Sequence, residues 1–280
     1  MARYPELQGK VALITGAGRR AGLGEGIARR LLEEGCKVVL TDIGKSRGTE
    51  MPVTAVGTDE EMAQVAAGLA AATGGECVAM ALDVLEEAQV EAVVAATVAR
   101  FGRLDILVNN AGIGYLMKPL LEMEAGEWDA VLGVNLRGAF LCSKHAARQM
   151  AAQGGGRIVN IASQAAKSPF PHAAAYCASK HGLVGLTRVA ALELGAHGIT
   201  VNAVCPNHVT TGLGAWQNEY FAAKTGRSVE QYLADMRARI PLGRPGLATD
   251  TAAATAFLCS DDAVYVTGEA LNVSGGEEMH

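Results

Sequence analysis

Seven short apolar runs alternate with longer stretches of helical periodicity, and this alternation constrains the fold more than any other feature of the sequence. The runs are KVALIT, KVVLTD, CVAMALD, LDILVNN, GRIVNIAS, ITVNAVCP and EALNVSGG. Between them, segments such as EGIARRLLEEG, VEAVVAATVARFG, EWDAVLGVNLRGAFLCSKHAARQM and AYCASKHGLVGLTRVAALELGAHG carry apolar residues at helical spacing. A strand that is apolar throughout must be covered on both faces, and parallel neighbours need a crossover between them. The alternation therefore predicts an α/β fold: one Rossmann-type doubly wound sheet of seven parallel strands with helices on both faces. No Pro/Ser-rich linker or charge block divides the 280 residues, so 1–280 reads as a single domain.

Two stretches break the rhythm. Residues 43–58, IGKSRGTEMPVTAVGT, form an inserted polar, glycine-rich loop. Residues 207–240 begin with NHVTTGLGAWQNEYFAAKTGRSV, which mixes aromatics with turn formers and follows the carboxyl end of a strand, where ligands of such sheets bind.

Composition narrows the class of partner. Although 50% of residues are apolar, the longest apolar stretches are short and broken by charges, well below the roughly 18 residues of a membrane span. The opening MARYPELQGK lacks a basic start followed by an apolar segment, so a cytoplasmic location is predicted. A net charge of -5 without a basic cluster argues against nucleic acid, whose phosphates are held by massed Lys and Arg. Cys36, Cys77, Cys142, Cys177, Cys205 and Cys259 lie far apart with no C-x-x-C pair, which reads as reduced thiols and no metal site. A small molecule is the predicted partner.

The strand KVALIT runs directly into TGAGRRAGLGEGIA, residues 15–28, with five glycines. A diphosphate approaches a backbone only where side chains are absent, and a helix N-terminus offers it unpaired N–H groups. Gly16, Gly18 and Ala21 satisfy G-x-G-x-x-[GA]; the string alone also fits a surface turn, and the flanking strand and helix favour the cradle. The next strand ends at Asp42, where a carboxylate can accept from adenosine ribose hydroxyls and repel a 2′-phosphate. Arg19 and Arg20 pull the other way, since a guanidinium can neutralise such a phosphate. Asp42 sits at a strand end and the arginines in an irregular loop, so the balance favours NAD over NADP.

Tyr176 and Lys180, in YCASK, stand four apart on a helical run and so share a face. An ammonium near a phenol favours the phenolate, which suits Tyr176 to general acid/base work near neutrality. Ser163 ends the strand GRIVNIAS, where a hydroxyl points into the ligand crevice. An amphipathic helix with a buried Tyr and a surface Lys is the bland reading of YCASK, and the surrounding motifs decide against it.

Taken in order, these motifs resemble the short-chain dehydrogenase/reductase family, over essentially the whole chain from KVALITG to NVSGG. The family loop is T-G-x3-G-x-G; here five residues separate Thr15-Gly16 from Gly22-Leu23-Gly24, a two-residue insertion occupied or flanked by Arg19 and Arg20. The resemblance implies the strand order 3-2-1-4-5-6-7, NAD(P) as cofactor and a homotetramer built on the long helices at about 127–150 and 175–195. It places Asp42 and Ile43 at the ribose, Asp83 and Val84 at the adenine, and the turn Asn110-Ala111-Gly112 beside the adenosine half. It assigns Ser163, Tyr176 and Lys180 to catalysis, with Asn135 holding a water in the proton relay. CPNHVTT aligns with P-G-x-V-x-T, so Pro206, Val209 and Thr211 fall at the nicotinamide, while Asn207 replaces the family glycine.

The resulting expectation is NAD-dependent, reversible oxidation of a secondary alcohol to a ketone. Gln164, Phe170, Asn207, His208, Leu213 and Trp216 are the substrate candidates, with Tyr220 and Phe221 beside them. The segment SVEQYLADMRARIPLGRPGLATD loosely resembles relatives acting on diols and sugar alcohols, which points to a polyol, vicinal diol or hydroxyketone. The rivals are a 3-oxoacyl-thioester reductase, an epimerase or lyase that keeps NAD bound through turnover, and a nucleotide sensor without turnover.

Overall fold

The computed structural model describes residues 2–45, 57–114 and 117–280, apart from the side chains of 212 and 213. Seven strands, Val11–Ile14 (β1), Lys37–Asp42 (β2), Cys77–Ala81 (β3), Ile106–Asn109 (β4), Gly156–Ile161 (β5), Ile199–Pro206 (β6) and Ala270–Val273 (β7), form one parallel sheet. Their order is β3-β2-β1-β4-β5-β6-β7, the number and order that the sequence and its resemblance imply.

The strand centres are mostly apolar because alternate residues face the helical layers on the two sides of the sheet. Ile14, Leu40, Val108, Val159 and Val204 pack against the helices Leu23–Glu33 (α1), Asp59–Thr73 (α2) and Ala248–Cys259 (α9). Their neighbours Leu13, Val39, Leu107, Ile158 and Val201 pack against Glu87–Phe101 (α3), Ala139–Ala152 (α5) and Ala174–Leu194 (α6). Leu13 pairs with Val39 on one side and Leu107 on the other, so one row of branched side chains crosses the sheet. Each such side chain taken out of water contributes about 1.5–3 kcal/mol, which fixes register as well as stability.

β1 pairs with both β2 and β4, so the chain reverses its direction of winding there. The loops leaving β1 and β4 part at that point and open a crevice at the carboxyl edge. A short helix, Ala125–Leu132 (α4), continues through a wide π turn over Gly133–Gly138 into α5. The irregular segment after β6 folds into two helices, Gly212–Lys224 (α7) and Val229–Arg239 (α8), the second capped by Ser228 and Gln231. Of the inserted loop 43–58, residues 46–56 lie outside the described residues; Thr58 ends it by accepting the Glu61 amide at 3.0 Å, the N-cap of α2. The six thiols are unpaired, and burial pushes Cys36, Cys77 and Cys142 up to about 12. Among the described residues no helix is long and apolar enough to cross a membrane, and no cluster of His, Cys, Asp and Glu suited to a metal ion occurs.

Candidate active site

One cleft of about 760 Å³ lies along the carboxyl edge of the sheet, lined from all six strands β1 to β6 and their loops. Its first third is the glycine loop. Gly16 has φ +63°, and a Cβ there would lie 2.6 Å from the Ala111 Cα, so the tight passage between the loops after β1 and β4 requires glycine. The turn after β4 clamps this loop from behind: Asn110 Nδ2 donates to the carbonyls of Thr15 (2.9 Å) and Gly16 (2.8 Å). In return Thr15 Oγ1 accepts the amides of Asn110 and Ala111, both at 3.1 Å. Gly22, at the N-cap of α1, has no side chain to cover the helix's first amides, and it lines the cleft with Leu23. This is a cradle for an anion at a helix N-terminus.

Of the two arginines in the lengthened loop, Arg20 bonds α2. The Arg20 amide donates to Glu61 Oε1 at 3.0 Å and its guanidinium to Gln64 Oε1 at 2.9 Å. Arg19 also lines the cleft. At the end of β2, Asp42 accepts the amides of Gly18 (2.9 Å) and Ile43 (2.8 Å), one on each carboxylate oxygen. Burial raises its pKa, and the two amides together with Arg19 oppose that rise. Each oxygen keeps a lone pair, so ribose hydroxyls still find acceptors. Gly18 itself does not line the cleft; it supports Asp42. Asp83, which accepts the Leu85 amide at 3.0 Å, and the buried Val84 complete the far end.

The middle third brings Ser163, Tyr176 and Lys180 together. Ser163 Oγ, which accepts the Ala165 amide at 3.1 Å, lies beside the Tyr176 hydroxyl and favours its ionised form. One helical turn away, the Lys180 Nζ lies 5.7 Å from the centre of the Tyr176 ring and donates to the Ile161 carbonyl at 2.8 Å. Lys180 is buried and Tyr176 partly so, and their titration follows from that. Burial pushes the Tyr176 phenol up, with the Ser163 hydrogen bond opposing, and pulls Lys180 down to about 8. The sequence suggests an ammonium that makes the phenol acidic; in the protein's own groups desolvation dominates and raises it, while the ammonium sits over the ring and bonds the Ile161 carbonyl.

Asn135 does not line the cleft but lies directly behind it, in the π turn. Its Oδ1 accepts the Ile113 amide at 2.8 Å, and its Nδ2 donates to the Ile113 carbonyl and Ser179 Oγ, both at 3.0 Å. Ser179 Oγ in turn donates to the Tyr176 carbonyl at 2.7 Å. The turn after β4, in which Gly112 lines the cleft, is thus tied to the catalytic turn of α6. A π turn adds a residue to one helical turn, and such bulges occur at functional sites.

The last third holds Gln164, Phe170, Pro206, Asn207, His208, Val209 and Thr211. Trp216 is not on its wall; the Trp216 ring stacks on Tyr220 at 5.4 Å, and Gln217 and Phe221 face the cleft from α7 instead. The Leu213 side chain lies outside the described residues. Tyr232, Met236, Arg239 and Glu277 also line this end, from α8 and the C-terminal tail. Asn207 Nδ2 donates to the Glu277 carboxylate, and Arg239 Nε donates to Glu277 Oε1 at 3.2 Å. His208 is lowered in pKa by burial, against the pull of Glu277, and its Nε2 has no partner.

A glycine cradle, a carboxylate at the end of β2 and a Ser-Tyr-Lys set on one edge of a doubly wound sheet define a nicotinamide-dependent oxidoreductase of alcohols and ketones. The family model described as enoyl-(acyl carrier protein) reductase matches residues 16–278. The chain belongs to the short-chain dehydrogenase/reductase family. The D-threitol dehydrogenase of Mycolicibacterium smegmatis is 38% identical over 96% of this chain and 93% of its own length. An actinorhodin polyketide ketoreductase solved with NADPH is 38% identical at a TM-score of 0.87, covering 100% of both chains. A xylitol dehydrogenase solved with NAD+ is 33% identical at a TM-score of 0.85, covering 97% of this chain and 100% of that one.

Proposed function

We propose that this protein catalyses NAD-dependent, reversible oxidation of an uncharged secondary alcohol, of the polyol, vicinal-diol or hydroxyketone type, to the ketone. The observation that carries the reading is that Ser163, Tyr176 and Lys180, with the Lys180 ammonium 5.7 Å from the Tyr176 ring centre, line the same cleft as the glycine loop and Asp42. When bound, a nicotinamide ring accepts or returns the hydride. In its phenolate form Tyr176 takes the hydroxyl proton of the alcohol, and as the phenol it returns one to the ketone in the reverse direction, while Ser163 positions that oxygen and stabilises its developing charge. Lys180, held by the Ile161 carbonyl, keeps a positive charge beside the phenol at neutral pH. Asn135 holds the turn after β4 against α6 and so fixes the Tyr176 turn relative to the cofactor cradle.

The preference for NAD rests on Asp42, because the solved relatives carry either cofactor. Its carboxylate repels a 2′-phosphate; of the two arginines that pull the other way, Arg20 bonds Gln64, and Arg19 lies near Asp42 at the cleft. Exposed Phe140, Val189 and Leu192 along α5 and α6 support a homotetramer assembled through those long helices.

Reduced-cofactor absorbance over a panel of secondary alcohols, run with NAD and with NADP, tests the reading. Net NADH formation from diols supports it. Equal efficiency with both cofactors overturns the NAD assignment, and conversion of substrate without net NADH assigns the site to an epimerase or lyase. A 3-oxoacyl thioester in the same panel, reduced with NADPH in preference to every alcohol, assigns it to the acyl-thioester branch that the family model's description evokes.

A further inference from the structure

The departure of Asn207 from the family glycine and the C-terminal tail meet at one carboxylate. Asn207 Nδ2 and Arg239 Nε both donate to Glu277, which is largely buried, with a side chain 19% exposed. The tail reaches this position through two glycines with positive φ after β7: a Cβ at Gly275 would lie 2.7 Å from Ile240 Cγ2, and one at Gly276 2.9 Å from Pro241 Cγ. The next residue, Glu278, accepts Gln164 Nε2 and Ser168 Oγ, each at 2.7 Å. Glu277 thus fastens the tail to the loop after β6 and to α8, while Glu278 fastens it to the residues that follow the catalytic Ser163. A carboxylate offers about four acceptor sites, of which two on Glu277 are taken by Asn207 and Arg239.

We propose that Glu277 is a specificity-determining residue: held by Asn207 and Arg239, its carboxylate accepts a hydrogen bond from a second hydroxyl of the substrate, so that the cleft selects uncharged diols and polyols over monohydric secondary alcohols. The inference rests on the function proposed above and names what that site selects. A site built to accept a hydroxyl discriminates strongly against an analogue without one, because the analogue leaves the site's own polar group unpaired. A carboxylate or phosphate on the substrate meets like charge at the same place, so anions are disfavoured.

The test compares kcat and KM for 2,3-butanediol and 2-butanol at saturating NAD in the wild type, Glu277→Gln, Glu277→Ala, Asn207→Gly and the double variant. The wild type favours the diol by about tenfold or more in kcat/KM, and Glu277→Ala lowers that ratio by about tenfold through KM rather than kcat. Glu277→Gln, which keeps shape and one carbonyl acceptor, retains part of the ratio. Asn207→Gly added to Glu277→Ala lowers it no further, because the two act through one interaction. If Glu277→Ala fails to fold, Glu277→Gln decides: a ratio equal to that of the wild type overturns the proposal. No diol preference in the wild type, or an equal loss on both alcohols, overturns it and leaves the proposed function standing. No turnover of either alcohol by the wild type overturns both.

Discussion

The Gly18 amide donates to the Asp42 carboxylate at 2.9 Å, and a Cβ at Gly18 would lie 2.6 Å from the Cβ of Asp42. One residue therefore shapes the glycine loop and lines the cleft, so in the proposed reading cofactor choice and loop geometry depend on the same side chain.

Replacing Asp42 by Ser separates the two roles. The shorter side chain removes the charge that repels a 2′-phosphate and leaves a hydroxyl near the Gly18 amide. The ratio of kcat/KM with NADP to that with NAD rises by about tenfold or more, as loss of one unfavourable charge contact of about 1.4 kcal/mol requires. Steady-state kinetics with both cofactors measure it; an unchanged ratio shows that Asp42 does not discriminate.

Tyr176→Phe keeps the ring's packing and removes the hydroxyl proposed to exchange a proton with substrate. Its kcat falls by about 10²–10⁴-fold, the range for loss of a general acid/base, while cofactor affinity measured by fluorescence titration changes little. Ser163→Ala also leaves the Ala165 amide without its acceptor, so a loss in kcat accompanied by a lowered melting temperature distinguishes it from the tyrosine variant.

Lys180 carries a linkage that its function imposes. Its pKa is about 8 in the folded protein and near 10.5 when exposed, so between those values the unfolded chain binds the proton that the fold rejects. Stability contributed at this position is lowest below pH about 8 and rises towards pH about 10.5, by up to roughly 3 kcal/mol. Lys180→Met removes the titration along with turnover. Chemical denaturation of both proteins across this range shows the difference in unfolding free energy moving in the wild type's favour as pH rises; a flat difference means the lysine is not desolvated.

The legible parts of the site are those whose geometry is local. Tyr176 and Lys180 are one helical turn apart, Asp42 ends β2, Ser163 follows the end of β5 by two residues, and the glycines sit between a strand and a helix, so local spacing aims them. Arg20 is different: its direction is set by Glu61 and Gln64, some forty positions on, and no pattern around GRRA shows it. Glu277, Arg239 and Tyr232 reach the cleft only through packing of the tail and α8, although the glycines before Glu277 mark a turn. Helix α2 buries Met62, Val65, Ala66 and Leu69 at helical spacing, yet its remaining alanines give little contrast between faces. The π turn around Asn135 depends on hydrogen bonds to Ile113 and Ser179, which leave no signature in GVNLRG.

The inserted residues of the glycine loop end in strain that a single substitution relieves. Ala21 has φ +54°, a left-handed conformation that costs a residue bearing a Cβ about 1–2 kcal/mol. Its amide is held by Glu25 Oε2 at 2.6 Å, and α1 begins two residues later at Leu23, so the loop has little freedom to relax. Glycine adopts this conformation without strain but loses about 0.5–1 kcal/mol more backbone entropy on folding. The balance predicts that Ala21→Gly stabilises the protein by about 0.5–1 kcal/mol. Because Ala21 lines the cleft at the diphosphate cradle, a stabilised loop also lowers the KM for NAD or leaves it level. Thermal denaturation with and without NAD measures both effects: a melting temperature that falls in the absence of cofactor shows that the loop does not hold Ala21 in the left-handed region.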